Sequence, residues 1–181
     1  MKYTPLAFLA AAALLCSADV QAQRRGDGGL TITLAQHSIR GGLFADRNGG
    51  LLDVLAAGRV KTMPRWSLVA AGGIGVVVSA AMEQCSISPG GDCAPLGNFV
   101  AAEALIGVAK PIGRVSGRAL AGPALYSGAE DTSLGVQARL DLNAPVSAHL
   151  GLGWMLRATL LPSHDGERLT LWAAGGTLTF R

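Results

Sequence analysis

The sequence has 181 residues, of which 50% are hydrophobic, 15% charged and 5% aromatic, with 25 glycines and a formal net charge of +3. Such a chain is too apolar to stay disordered, and glycine without a period of three excludes a collagen-like helix. The positive balance comes from twelve Arg and three Lys set against eight Asp and four Glu, scattered singly, so no basic patch exists to attract nucleic acid.

The chain begins Met1-Lys2-Tyr3-Thr4-Pro5, continues as an apolar run from Leu6 to Cys16, and then reads Ser17 to Ala22 with Val20-Gln21-Ala22 at the end. A positive start, an apolar centre and this ending form a secretory signal peptide, expected to be cleaved after Ala22. The eleven apolar residues fall well short of the roughly 20 that a spanning helix needs, so a retained anchor is not expected. Residues 1–22 are therefore read as the signal peptide and residues 23–181 as one domain outside the cytoplasm. Cys16 leaves with the signal, and Leu15 stands where lipoprotein processing wants a small residue. The two remaining cysteines lie in Cys85-Ser-Ile-Ser-Pro-Gly-Gly-Asp-Cys93. In an oxidising compartment they are expected to form a disulfide that staples a tight loop. With no Cys or His partner nearby and a spacing unlike that of zinc ligands, no metal site and no cofactor are expected.

From Leu30 onward, apolar segments alternate with clusters of Gly, Pro, Asn and Asp, as strands alternate with turns. Eight segments are predicted: Leu30 to His37, Leu51 to Val60, Arg65 to Ala81, Phe99 to Ala109, Ser116 to Tyr126, Ser133 to Leu142, Val146 to Leu160, and Arg168 to Arg181. The third contains Leu68 to Met82, apolar on both faces; its three glycines and three consecutive valines argue for a strand over a short membrane helix. In the sixth, Leu134, Val136, Ala138, Leu140 and Leu142 alternate without error with Ser133, Gly135, Gln137, Arg139 and Asp141. That is period two, and Val146 to Leu160 repeats it.

Strands of a soluble sandwich usually run about five or six residues, whereas a tilted strand that crosses a bilayer needs about 9 to 11. Length therefore favours a membrane barrel, and composition sets its sense. With the Leu, Val and Ala face turned inward, the exterior would carry Gly73, Gly75, Gly151, Gly153 and Met155, with few charges for water to solvate. With that face outward, the interior receives Asp53, Arg59, Glu103, Arg118, Gln137, Arg139, Asp141, His149 and Arg157. Three acids then face four arginines and can pair inside a narrow lumen, as buried charges must. Inward glycines such as Gly73, Gly75, Gly107, Gly135, Gly151 and Gly153 are expected to leave room for the arginines.

The connections alternate in length. Those after the odd segments are Ser38 to Gly50, Met82 to Asn98, Ser127 to Thr132, and Leu161 to Glu167. Those after the even ones, Lys61 to Pro64, Lys110 to Val115, and Asn143 to Pro145, are shorter. This predicts external loops on one side, periplasmic turns on the other, and both termini in the periplasm.

The chain resembles the small eight-stranded outer-membrane barrels of the OmpA/OmpX type. The signal peptide carries the likeness together with the hairpin Leu51 to Val60, Lys61-Thr-Met-Pro64 and Trp66 to Val78. The turn Leu142-Asn-Ala-Pro145 before Leu150-Gly-Leu-Gly-Trp154, and the closing Thr177-Leu-Thr-Phe180-Arg181, complete it. The resemblance implies an all-β, eight-stranded antiparallel up-and-down transmembrane β-barrel. It also implies a monomer that contacts outer-membrane lipid and presents a C-terminal strand ending in Phe180 to the barrel-insertion machinery, although Arg181 follows that aromatic. Aromatic girdles would place Trp66 and Phe180 at the periplasmic rim and Phe99, Tyr126 and Trp172 at the outer one.

Chemistry is sparse. Small outer-membrane barrels include lipid A deacylases that use His, Ser and Glu, and His149, Ser147 and Glu103 are the counterparts available here. In those enzymes Ser and Asn follow the His closely, whereas Leu150-Gly151-Leu152 follows His149, so a packed interior histidine is expected and no enzyme. Arg25-Gly26-Asp27 falls on the periplasmic side, where an adhesion reading has no use. Gly72-Gly73-Ile74-Gly75 lacks the Lys-Ser/Thr of a phosphate loop. The expected function is a structural or loop-mediated interaction role in the outer membrane with no wide pore. The rivals are a lipid A acyl hydrolase and a soluble periplasmic barrel that binds a small hydrophobic ligand.

Overall fold

A computed structural model of the chain describes residues 28–40, 47–79, 99–127, 132–162 and 168–181. The proposed signal peptide, the Arg25-Gly26-Asp27 triplet, the Cys85 to Cys93 pair and His164 lie outside the described residues. Eight strands follow one another: β1 (Gly29–Arg40), β2 (Arg47–Thr62), β3 (Ser67–Ser79), β4 (Phe99–Ile112), β5 (Val115–Ser127), β6 (Thr132–Pro145), β7 (Leu150–Pro162) and β8 (Arg168–Phe180). Each pairs antiparallel with its sequence neighbour, and β1 also pairs with β8, so the sheet closes as an all-β up-and-down barrel. Each of the eight predicted segments corresponds to one strand, although β3 begins at Ser67 and β7 only at Leu150. Leu68 to Ser79 belongs to β3, and no helix among the described residues is long and apolar enough to cross a membrane.

Closure removes the sheet edges, which leaves two faces to explain. Outward-facing residues include Leu34, Ile74, Val100, Ile106, Leu134, Val136, Leu140, Leu152 and Trp154, all exposed large hydrophobics. Inward-facing residues are buried, including the charged ones. The apolar-out sense follows from that contrast. On β6 the pattern is strict: Gln137, Arg139, Asp141 and Asn143 are buried while Val136, Ala138, Leu140 and Leu142 are exposed.

Two apolar clusters fill the rest of the lumen. Leu55, Val69, Ala71, Leu105, Ala109 and Leu120 pack between β2 and β5. Ile39, Leu51, Val77, Met155 and Leu171 pack toward the end away from the termini. Gly113 and Arg114 connect β4 and β5 as a two-residue hairpin, in which Gly113 takes φ 64° that glycine adopts without strain.

Five strands run longer than the predicted segments, with 12 residues in β1 and 16 in β2, and this revises the loop asymmetry. The segment between Ser79 and Phe99 remains long. The other three connections on that side, at residues 41–46, 128–131 and 163–167, are close in length to the turns on the opposite side.

The predicted turn Asn143 to Pro145 is also displaced. β6 continues through Pro145, which pairs with Gly151, and the turn occupies residues 146–149, closed by Val146 and Ser147 N–H groups that donate to the Leu150 carbonyl at 2.9 and 3.0 Å.

Candidate functional site: the interior ion network

Strand alternation alone delivers the charged side chains to one space, because every second residue of a closed barrel points into the lumen. Asp53 comes from β2, Glu103 from β4, Arg118 from β5, Arg139 and Asp141 from β6, and Arg157 from β7; all six are buried.

Arg139 is the hub. Its Nη1 lies 2.8 Å from Asp53 Oδ2 and 3.3 Å from Glu103 Oε1, its Nε donates to Asp141 Oδ1 at 2.9 Å, and its Nη2 donates to Thr33 Oγ1 at 3.0 Å. Arg118 Nη2 flanks it, 3.2 Å from Asp141 Oδ2 and donating to Thr31 Oγ1 at 3.0 Å. On the other flank, Arg157 Nη1 stands 3.4 Å from Asp53 Oδ2 and 3.5 Å from Glu103 Oε2. Three arginines thus meet three carboxylates, and the set is neutral. Neutrality matters because an uncompensated buried charge costs far more than a mispaired surface one.

Uncharged groups extend the network. Gln137 Nε2 donates to Glu103 Oε2, while Tyr126 OH donates to Gln137 Oε1 at 3.2 Å and lies 3.0 Å from Thr159 Oγ1. Toward the termini, Asn143 Nδ2 donates to Thr179 Oγ1, which lies 3.2 Å from Thr31 Oγ1. Two inward glycines on β3 leave space for the acids. A Cβ at Gly73 would stand 3.1 Å from Glu103 Oε1, and one at Gly75 would stand 2.9 Å from the Asp53 Cβ. Gly135 differs, since a Cβ there would meet the Leu160 carbonyl oxygen at 2.6 Å, so it answers to close approach of strands and not to the arginines.

One predicted interior residue is revised and one stands at the edge of the lumen. Arg59 keeps the inward parity of β2, opposite buried Val69, but is half-buried at the rim beside a register shift between Arg59 and Lys61, where its Nη1 donates to Thr62 Oγ1 at 3.4 Å. His149 is exposed in the turn before β7, where its backbone N–H donates to Ser147 Oγ at 3.3 Å. The alternation of β7 begins only at Leu150, so its extension back through Val146 placed His149 inside by counting through a turn. Consequently His149 and Ser147 are exposed, whereas Glu103 is buried in the lumen, and the three do not form a catalytic group.

The girdle assignment changes as well. Tyr126 is buried, and Phe99 packs partly buried against the lumen cluster, while Trp66, Trp172 and Phe180 are exposed outward. The parity of Arg118 on β5, eight residues earlier, is the sequence signal that points Tyr126 inward against the girdle expectation. Sequence reasoning also missed His37, buried on β1, and the inward threonines Thr31, Thr33, Thr159, Thr177 and Thr179. Their signal was alternation too, in Thr31-Ile32-Thr33 and Thr177-Leu178-Thr179. Among the described residues, no group of His, Cys, Asp and Glu is arranged to hold a metal.

No family model and no curated protein matches the chain. Solved structures do. Ail, the attachment invasion locus protein of Yersinia pestis, is similar with a TM-score of 0.47 and 16% identity over 84% of this chain and 97% of that one. The structure of Ail in complex with the heparin analogue sucrose octasulfate gives 0.47 and 13% over 84% and 97%. Neisserial surface protein A gives 0.45 and 11% over 83% of this chain and 96% of that one. The closed eight-stranded barrel built above, with its side-chain-filled lumen, is the architecture of the small outer-membrane barrels of the OmpA/OmpX type.

Proposed function

We propose that the chain is an exported, monomeric integral protein of the outer membrane, with a structural or loop-mediated interaction role and no wide pore. One observation carries this reading: the outward face is apolar around the barrel, while Asp53, Glu103, Arg118, Arg139, Asp141 and Arg157 are buried and paired within. Water would have to solvate Leu34 and Trp154, each 69% exposed, together with Leu134 and Val136, which a lipid environment accommodates without cost. The filled lumen, with Arg139 and Arg157 each 1% exposed, argues against an open channel.

In this reading residues 1–22 are removed on export and the termini lie in the periplasm. The C-terminal strand ending in Phe180 engages the insertion machinery, and Met82 to Asn98, stapled by Cys85 and Cys93, is the chief outward contact. Phe180 pairs with both Leu30 and Leu150, and the Arg181 N–H donates to the His149 carbonyl at 3.0 Å, so an arginine after the aromatic is compatible with a fully paired closing strand.

Membrane fractionation with unboiled and boiled gel electrophoresis tests the reading. The protein should partition with outer membranes and migrate differently before and after heating. Recovery as a detergent-free periplasmic protein with unchanged mobility would overturn it.

A further inference from the structure

At the edge of the ion network, the lumen contains polar groups that the network leaves without partners. His37 on β1 and Arg157 on β7 point inward from one row of the sheet, each opposite Ala173 of β8, whose small side chain separates them. Both are 1% exposed. Arg157 spends only Nη1 on carboxylates, and its Nε and Nη2 make no hydrogen bond. The His37 ring lies near the Gly50 backbone and Arg157, and neither ring nitrogen has a hydrogen-bond partner. A buried donor without a partner loses its hydration and gains nothing in return, so the clustering of such groups asks for a ligand.

We propose that the Nε–Nη2 edge of Arg157 and the imidazole of His37 form a site for one small monovalent anion, of the chloride or formate class, taken up together with a proton on His37. The guanidinium edge offers two parallel N–H donors, the geometry that suits a small anion. Charge supplies the second half of the argument. Arg118, Arg139 and Arg157 already balance Asp53, Glu103 and Asp141, so an anion alone would leave the lumen negative, and protonation of His37 restores neutrality.

The charged and titratable groups around Arg157 come from the neighbouring strands: Arg139 from β6, Tyr126 from β5, Glu103 from β4 and Asp53 from β2, whose Oδ1 has no hydrogen-bond partner. Arg47 opens β2 opposite Ile39, and β3 and β8 contribute Gly75, Val77, Leu171 and Ala173, which do not titrate. A proton on His37 is therefore opposed by Arg157 unless an anion lies between them, which couples the two events.

The experiment uses the full mature barrel refolded in detergent micelles, with histidine side chains labelled for NMR and the signals of His149 and His164 assigned through His149→Ala and His164→Ala. Chloride and formate are titrated at pH 5.5 and pH 7.5 at constant ionic strength, with gluconate as the bulky control. His37 should respond saturably to the small anions alone, and affinity should strengthen on acidification, by up to about tenfold per pH unit where His37 takes up its proton. Arg157→Lys, which keeps the charge and loses the fork, should lose saturation, and His37→Gln, read through the Arg157 guanidinium signals, should lose the pH dependence. A heat-modifiable barrel whose His37 gives no saturable response at either pH, or responds with equal affinity at both, would overturn the proposal. A response to gluconate equal to that for chloride would do the same. Failure to form a heat-modifiable barrel at all would instead count against the membrane reading itself.

Discussion

The two walls of the lumen are filled by different means. The β2–β3 wall presents Leu51, Leu55, Val69, Ala71 and Val77 inward with Asp53 as the one charge among these residues, while the β6 wall presents Gln137, Arg139, Asp141 and Asn143 in unbroken succession. An apolar wall is stabilised by shape and burial and tolerates truncation in proportion to the volume lost. A charged wall stands only while every partner is present. The same closed sheet accommodates both because Asp53 of the apolar wall and Glu103 of neighbouring β4 reach across to Arg139.

The largest expected effect breaks the charged wall. Arg139→Leu preserves bulk but leaves three buried carboxylates to Arg118 and Arg157 alone, and unfolding in lipid vesicles under urea should show a loss of about 3–5 kcal/mol. An unchanged midpoint would mean that the carboxylates find other partners and that Arg139 is not the hub. Leu55→Ala probes the apolar wall at a fully buried position and should cost about 3 kcal/mol by the same measurement, without altering the pH dependence of unfolding. If Leu55→Ala changed that pH dependence as Arg139→Leu should, the walls would not be separable.

This contrast also governs how much the sequence disclosed. On β6 and β7 the interior is polar and the exterior apolar, so period two alone located Arg139, Asp141 and Arg157, and their neighbours followed. On β3 both faces are apolar, and the alternation vanishes between Leu68 and Val78; only length, glycine and the valine run kept the segment a strand. Alternation also says nothing about where it stops. His149 was counted inward across a turn whose hydrogen bonds from Val146 and Ser147 to Leu150 are visible only in three dimensions. Which carboxylate meets which arginine depends on the stagger of strands around the barrel, as in the Asp53–Arg139 pair, and no local pattern encodes it.

A smaller perturbation sits where the walls touch. Gly73 on β3 faces Glu103, and an added Cβ would stand 3.1 Å from its Oε1, 3.0 Å from Leu55 Cδ1 and 2.8 Å from the Val54 carbonyl oxygen. The carboxylate and the leucine can shift, but the carbonyl belongs to the sheet. Gly73→Ala should therefore cost about 1–2 kcal/mol in vesicle unfolding. Combined with Glu103→Gln, the penalty should depart from additivity, because both changes act on one oxygen. Strict additivity would show that the strain falls on the Val54 backbone alone and that Gly73 serves strand approach and not the network.

The smallest effect is expected outside both walls. His149 is exposed in the 146–149 turn, and the one hydrogen bond its residue donates to a side chain comes from the backbone N–H, which a substitution retains. His149→Ala should shift stability by less than about 0.5 kcal/mol and leave the heat-dependent gel mobility unchanged. The same variant separates this barrel from a lipid A acyl hydrolase. A hydrolase that used His149 would need a serine and a carboxylate within hydrogen-bond reach of its ring, and Glu103 is instead committed to Gln137 and Arg139 inside the lumen. Lipid A mass spectra from cells that express the wild type and His149→Ala should accordingly be identical. Loss of an acyl chain with the wild type and its retention with the variant would establish catalysis at the turn and displace the interaction role in favour of an enzyme.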